Sequence, residues 1–477
     1  MVGEMLHLGA ICVLGVGTTG QAVIDYCLKL LQGGEVRIDS LDIYPGDAEA
    51  PFVPADSRVR IHPDTHQVSG EYDLTVVSPG IPPHSELYSS AQRCSSEVIS
   101  EPEFAFSISP DRWLAITGTN GKTTTTALCT HLLNTGGFKA RAAGNIGLPC
   151  ISAIDQRQSG EWLVAELSSY QLASSRLLAP VVAILLNITP DHLHWHGSFA
   201  EYARVKESIF ANMVPGDPRI IDATSTETRT IFKAFVAAGL RAIPLGTSEG
   251  LCSDMTVRCG AAEAAFVDST TAMLTVVCAG IRHSLIPMDQ LLIKGEHNLQ
   301  NALAAAAAAL AIGVDVEAVR EGLATFSPLE HRIEPCGTVR GLHFFNDSKA
   351  TNPEATIKAL SAFEQMPLVV MMGGRDKGTE LKELVAACVD SCRAVVCYGE
   401  AGERFHAEFE KLRGLELSLV GTFREAFYEA VNLAQPGDAL LLSPACASFD
   451  EFSSYEHRGV VFKSLIQELG SADGQGQ

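Results

Sequence analysis

The 477-residue chain is 46% apolar and 19% charged, which excludes a disordered polymer and suits a globular protein of about three domains. Its formal net charge of -21 argues against a nucleic-acid backbone or an anionic membrane surface as the main partner. The 13 cysteines are scattered with no Cys-x-x-Cys pair, so they read as reduced thiols and not as a disulfide framework or zinc site.

The N-terminal stretch lacks a basic segment and carries Glu4, so no export signal is read there, and a cytoplasmic protein without a membrane-spanning segment is expected. "AICVLGVG" predicts a strand, "TGQAVIDYCLKLLQGG" a helix ended by Gly33-Gly34, "EVRIDSLDI" a second strand, and "DLTVVSPGIPP" a third that enters a Pro-rich turn. Gly15, Gly17 and Gly20 form a G-x-G-x-x-G between strand and helix, and Asp42 is placed to take a ribose hydroxyl. Alone, this fingerprint suits a nucleoside diphosphate as well as NAD. The Ser- and Pro-rich "ISEPEFAFSISPDRW" reads as a separator, giving a first domain over 1–102.

A second domain, 103–329, opens on the strand "WLAITG" and the loop "ITGTNGKTTTT". Gly118 is followed by only Thr119 and Asn120 before Gly121 and Lys122, two residues short of the usual phosphate loop. Its strand–loop–helix setting still turns backbone N–H groups and a helix N-terminus toward an anion. Lys122 would reach the phosphates and Thr123 would hold Mg²⁺; the competing reading is a Gly-rich turn with a solvated lysine. Thr125 and Thr126 read as helix-start filler.

"EWLVAELSSYQL" ends an apolar strand in Glu166, either a second Mg²⁺ ligand or a helix N-terminal carboxylate. "NITPDHLHWHG" offers His192, His194 and His196; one aimed at the cleft, with the others on a surface loop, fits better than zinc. In the helix "SFAEYARVKESIFANM", Tyr202, Lys206, Ile209 and Met213 share a stripe. Lys206 is then a snorkelling chain at the core edge or a buried, neutral, reactive amine.

The third domain, 330–477, carries the strand-like runs "LVVMMGG", "AVVCYG" and "ALLLSPA". Lys349, Thr351, Lys377 and Ser448 gather near strand ends as a pocket for a small acid's carboxylates, or serve singly as turn and cap residues. Strands alternating with helices throughout predict an α/β fold of parallel sheets.

Taken together, "TGTNGKTTT", "KGEHNLQN", "NDSKATNP" and "SPACASFDEF" with "YEHRG" resemble the Mur ligases, ATP-dependent amide-forming enzymes of peptidoglycan precursor synthesis. The resemblance spans nearly the whole chain, apart from a stretch without recognised motifs over about 215–290. It implies a Rossmann-like N-terminal domain, a central P-loop ATPase-like domain and a C-terminal Rossmann-like domain. It implies UDP-N-acetylmuramoyl-L-alanine and D-glutamate as substrates of a monomeric, cytoplasmic bacterial enzyme with no nucleic-acid partner. Gly118, Thr119, Asn120, Gly121, Lys122, Thr123 and Thr124 would cradle ATP, and Asn298, Asn301, Arg332 and Asp347 its adenine and ribose. Thr123, Glu166, His192 and a CO₂-derived carbamate on Lys206 would hold two Mg²⁺ ions, so Lys122, Glu166, His192 and Lys206 form the implied catalytic set. Thr18, Thr19, Asp42 and Ser78 would hold UDP, with Asn145 and His192 at the muramoyl-alanine end. Lys349, Thr351, Lys377, Ser448 and Tyr455 would hold D-glutamate. "LDIYPG" lacks the basic residue expected soon after the acid. The nearest competing reading is another ligase of the same superfamily, adding L-alanine, a diamino acid or a D-Ala-D-Ala dipeptide, or extending folate with glutamate. The others are an NAD-dependent dehydrogenase built on Gly15–Gly20 and a nucleotide-binding module without catalysis.

Overall fold

A computed structural model describes residues 6–33, 36–46, 48–49, 51, 53, 55–246, 250–253, 261–363, 366–376, 378–411 and 415–474. The chain forms two compact units, Met1–Gln290 with Gln300–Thr325, and Leu291–Leu299 with Phe326–Gln477.

In the first unit, a five-stranded parallel sheet runs in the order Val59–Ile61, Ser40–Tyr44, Ala10–Leu14, Tyr72–Val77, Ser95–Ser100. Its strands are apolar on both faces because both are covered. Ile11 and Val13 pack on Val23, Ile24 and Cys27 of the helix Thr18–Leu31. Cys12, Leu14 and Tyr44 pack on Leu87, Tyr88 and Ala91 of the helix Glu86–Cys94. The expected separator differs: it closes this sheet as Ser95–Ser100 and continues as the helix Glu101–Ile108. Ser100 caps that helix, with Pro102 in its first turn, so the Ser and Pro residues mark a helix start and not a linker.

The larger sheet of this unit has Trp113–Thr117 near its centre, buried throughout, between Trp162–Glu166 and Val182–Leu185. These strands are parallel, with Glu166 opposite Ile116 and Leu185 opposite Thr117. That register sets three carboxyl ends side by side, where ligands of such sheets gather. Arg219–Asp222 and Ala242–Leu245 continue the parallel order. Beyond them, Ala264–Asp268, Met273–Cys278 and Ile281–Pro287 are antiparallel, in part of the stretch without motifs. The all-parallel expectation therefore holds for the strands beneath the loop but not for this edge. Asp268 Oδ1 accepts from Thr270 N and Thr271 N, a tight turn that leaves no room for a crossover helix.

The second unit holds a six-stranded sheet, Glu334–Val339, Leu342–Asn346, Ala439–Leu442, Leu368–Gly373, Cys392–Tyr398, Glu416–Leu419. It is parallel except for its first hairpin, with an apolar core on each face. Among the described residues, no helix is long and apolar enough to cross a membrane, and the cysteines are free thiols.

Candidate active site

The central strand delivers the chain to Gly118, with φ 154°, and to Gly121, whose φ of 86° caps the helix Lys122–Thr135. A Cβ on Gly121 would lie 2.4 Å from Asn301 Oδ1, so both backbone conformation and space demand glycine there. Asn187, which the sequence reading does not single out, clamps the shortened loop. Thr119 N donates to Asn187 O and Asn120 N to Asn187 Oδ1, each at 2.8 Å, while Asn187 Nδ2 returns a bond to Asn120 O at 3.1 Å. Those two loop N–H groups are committed to Asn187, and the helix N-terminus that follows carries the positive end of a dipole suited to an anion. Thr125 is not filler: its buried hydroxyl donates to Asn301 Oδ1 at 3.1 Å, tying the loop helix to Glu296–Ile312.

Two lysines meet at this loop. Lys122 Nζ folds back onto Gly118 O at 2.9 Å and Thr119 O at 2.8 Å, and Lys206 Nζ donates to the same Gly118 O at 2.8 Å. Lys206 is 1% exposed, which rules out snorkelling. Its helix, Phe199–Glu207, starts at a Ser198 cap, and Tyr202 Oη shares a 3.0 Å hydrogen bond with Thr119 Oγ1. The stripe carrying Lys206 is thereby turned toward the loop, with Nζ 4.8 Å from the centre of the Tyr202 ring. Burial, then the neighbouring Lys122 charge, push the Lys206 amine well below the ordinary lysine range, against opposing pulls from Asp191 and Glu166.

Glu166 is 2% exposed, and its Oε1 accepts from Asn145 Nδ2 at 3.0 Å. Asn145 N also donates to Glu166 O at 2.9 Å. Glu166 Oε2 is buried with no hydrogen-bond partner. The next helix, Ser169–Ala173, has its own capping box in Ser168 and Gln171, so Glu166 is not its cap. His192, with φ 53°, packs 4.9 Å from Tyr170 and 6.5 Å from Tyr202, and its Nδ1 lies 3.4 Å from Asp191 Oδ1. His196 is buried, stacked on Tyr170 and hydrogen-bonded to Ser169 Oγ at 2.9 Å, which corrects its expected place on a surface loop. The side chain of His194 lies outside the described residues. Among those described, no three His, Cys, Asp or Glu side chains converge on a metal position. An unpartnered carboxylate oxygen beside a desolvated amine nevertheless suits a hard cation.

In the first sheet, Thr18 and Thr19 open the helix behind Gly17, and Ser78 Oγ donates to Gly15 O at 3.2 Å. A Cβ on Gly20 would lie 1.9 Å from Gly15 O, so this glycine lets the turn close. Asp42 is not open to a ribose hydroxyl; its carboxylate is buried against Arg60 and His62.

In the second unit, Asn298 and Arg332 line an apolar cavity of about 390 Å³ with Ile293, Phe345 and Phe363. Asp347 is buried behind Arg332, accepting from Ser443 Oγ at 2.8 Å, and burial lifts its carboxyl to about 7 against the pull of that bond and of Arg332. Asn301 follows Asn298 by one turn on the helix Glu296–Ile312, where its Oδ1 braces the loop helix through Thr125. Lys349 Nζ lies 5.1 Å from the centre of the Tyr455 ring, and Ser448 is buried. Thr351 precedes the Asn352 cap of the helix Pro353–Leu360. Lys377 lies outside the described residues. Arg458, within "YEHRG", is fully buried: Nη1 donates to Ala447 O at 3.2 Å, Nη2 to Ser348 O at 2.9 Å and to Cys446 O at 3.0 Å. It joins the segment bearing Lys349 to the one bearing Ser448.

Residues 116–309 match the Mur ligase middle domain and residues 331–446 the Mur ligase glutamate ligase domain. The chain is 35% identical over 466 residues to the UDP-N-acetylmuramoylalanine--D-glutamate ligase of Koribacter versatilis, covering 97% of this chain and 98% of that one. It is 36% identical to the same-named ligase of Salinibacter ruber, covering 96% and 97%. Among solved structures, the MurF ligase of Thermotoga maritima in complex with ADP shares the fold with a TM-score of 0.58 at 14% identity, covering 97% of this chain and 96% of that one.

Proposed function

The chain belongs to the Mur ligase family, and we propose that it joins D-glutamate to UDP-N-acetylmuramoyl-L-alanine with ATP, as a cytoplasmic monomer in peptidoglycan precursor synthesis. The observation that carries this reading is the meeting of Lys122 and Lys206 on Gly118 O, within the charge field of Glu166.

A carboxylate is a poor electrophile, so the substrate's alanine carboxylate first takes the γ-phosphoryl group of ATP, giving an acyl phosphate and ADP. The D-glutamate amine attacks the acyl carbon, loses a proton, and the tetrahedral intermediate expels phosphate. Lys122 and the first-turn N–H groups of its helix stand where negative charge accumulates in both steps. Neutral Lys206 is suited to add CO₂: an N–C bond forms, a proton leaves, and a carbamate replaces the amine. That carbamate, Glu166, His192 and Thr123 would hold Mg²⁺, which when bound neutralises phosphate charge. The cavity lined by Asn298 and Arg332 takes the purine, Lys349, Thr351, Ser448 and Tyr455 take D-glutamate, and Asn145 and His192 the muramoyl-alanine end.

Phosphate release from ATP should require both UDP-N-acetylmuramoyl-L-alanine and D-glutamate in a panel of amino acids. Release with L-alanine and none with D-glutamate would overturn the assignment.

A further inference from the structure

The carboxylate of Asp42 is 1% exposed and both of its oxygens are engaged. Arg60 grips it with two bonds, Nε to Oδ1 at 3.0 Å and Nη2 to Oδ2 at 2.8 Å, and His62 Nε2 lies 2.6 Å from Oδ1. The His62 ring stacks on Tyr44 at 4.3 Å and 9°, and the Tyr44 hydroxyl is itself anchored to Ser69 O and Tyr72 Oη. Arg60 is held from behind, yet its side chain is 64% exposed, and Nη1 makes no hydrogen bond among the described residues. A buried acid thus presents an outward cation in a fixed orientation.

The location suits a ligand. His62 N donates to Ile43 O, Gly15 N to Tyr44 O and Ser78 N to Leu14 O, so these residues follow one another across the carboxyl ends of adjacent parallel strands, and Arg60 stands two residues before His62 on the edge strand, opposite Asp42. That edge is where open α/β sheets take nucleotides. A guanidinium donates and never accepts, so it recognises acceptor oxygens, not a ribose hydroxyl that seeks a carboxylate. We propose that Arg60 is a specificity-determining residue for the nucleoside-diphosphate end of the UDP substrate, with Asp42 and His62 as positioning residues behind it. The missing basic residue of "LDIYPG" is supplied from the neighbouring strand.

This inference rests on the function proposed above, and its test separates the two. Calorimetric titration with UDP, uridine and ADP is run on the wild type, Arg60→Gln, Arg60→Lys and Asp42→Asn. Arg60→Gln should weaken UDP binding ~10–100-fold, as expected for a hydrogen bond to a charged group, and leave ADP binding unchanged. Arg60→Lys should recover part of it, and Asp42→Asn should lose part, because it frees the guanidinium. An equal loss for uridine assigns the contact to a uracil carbonyl, and a loss confined to UDP assigns it to phosphate; both support the proposal. In turnover, KM for the UDP substrate should rise while kcat and the KM values for ATP and D-glutamate hold. Wild-type UDP affinity in Arg60→Gln would overturn this assignment alone, as would parallel losses of UDP and ADP binding with a lowered Tm. A wild-type chain that binds ADP but not UDP would overturn the function itself.

Discussion

At the scale of single residues, the environment of Lys206 changes its chemistry more than its identity does. An exposed lysine is a solvated cation, but this one has lost its water and faces a second lysine on the same carbonyl oxygen. Burial first, and then the charge of Lys122, favour the neutral form of the Lys206 amine. Lys206→Ala should lower kcat by about 10²–10³-fold, the usual effect of removing one preorganised electrostatic contact. Formate or acetate should restore part of the activity by replacing a carboxylate-like group. An alanine variant with full turnover would return Lys206 to a packing role. The stripe of Tyr202, Lys206, Ile209 and Met213 was legible from helical spacing; its direction was not, because Thr119 sets it from 83 residues away.

Among the elements, strand ends and caps carry the functional geometry. The apolar strand Leu342–Asn346 runs directly into Asp347, so its carboxyl is drawn into the core at the strand's end. Burial lifts that carboxyl to about 7, and the sign of the effect on stability follows. Between the ordinary carboxylate range and about pH 7, the folded chain keeps a proton that the unfolded chain has lost. The contribution is full below that range and declines as pH rises toward 7. Urea unfolding of Asp347→Asn and wild type at pH 5 and pH 8 should show the variant gaining on the wild type at the higher pH. An unchanged difference at the two pH values would disprove it. Element by element, the strand beneath the loop and the helix after it were readable, since buried runs and glycine punctuation are local signals. The helix Glu101–Ile108 was misread because a Ser-Glu-Pro sequence serves a cap as readily as a turn. The antiparallel edge was unread because short hairpin connections resemble any other polar turn.

For the whole molecule, the nucleotide site should couple to stability. ADP binds only the folded chain in this reading, so at 100 times its Kd it should add about 2.7 kcal/mol to the unfolding free energy. NADH at the same concentration should leave Tm unchanged. Stabilisation by NADH without stabilisation by ADP would favour a dehydrogenase built on Gly15–Gly20 and would sink the ligase reading.

Sequence alone determined the features that a few adjacent residues specify: the glycines that turn at Gly118 and Gly121, the lysine behind them, and the buried strand that presents them. Those are backbone and solvation requirements, and the local chain satisfies or violates them by itself. Tertiary structure decided which groups are charged, committed or offered. Lys206 reaches Gly118 O across 88 residues, Arg458 reaches Ser348 O across 110, and Arg60 takes the carboxylate that Asp42 would otherwise present to a ligand. Desolvation and hydrogen-bond saturation belong to the packed assembly of distant segments. No spacing along the chain encodes them.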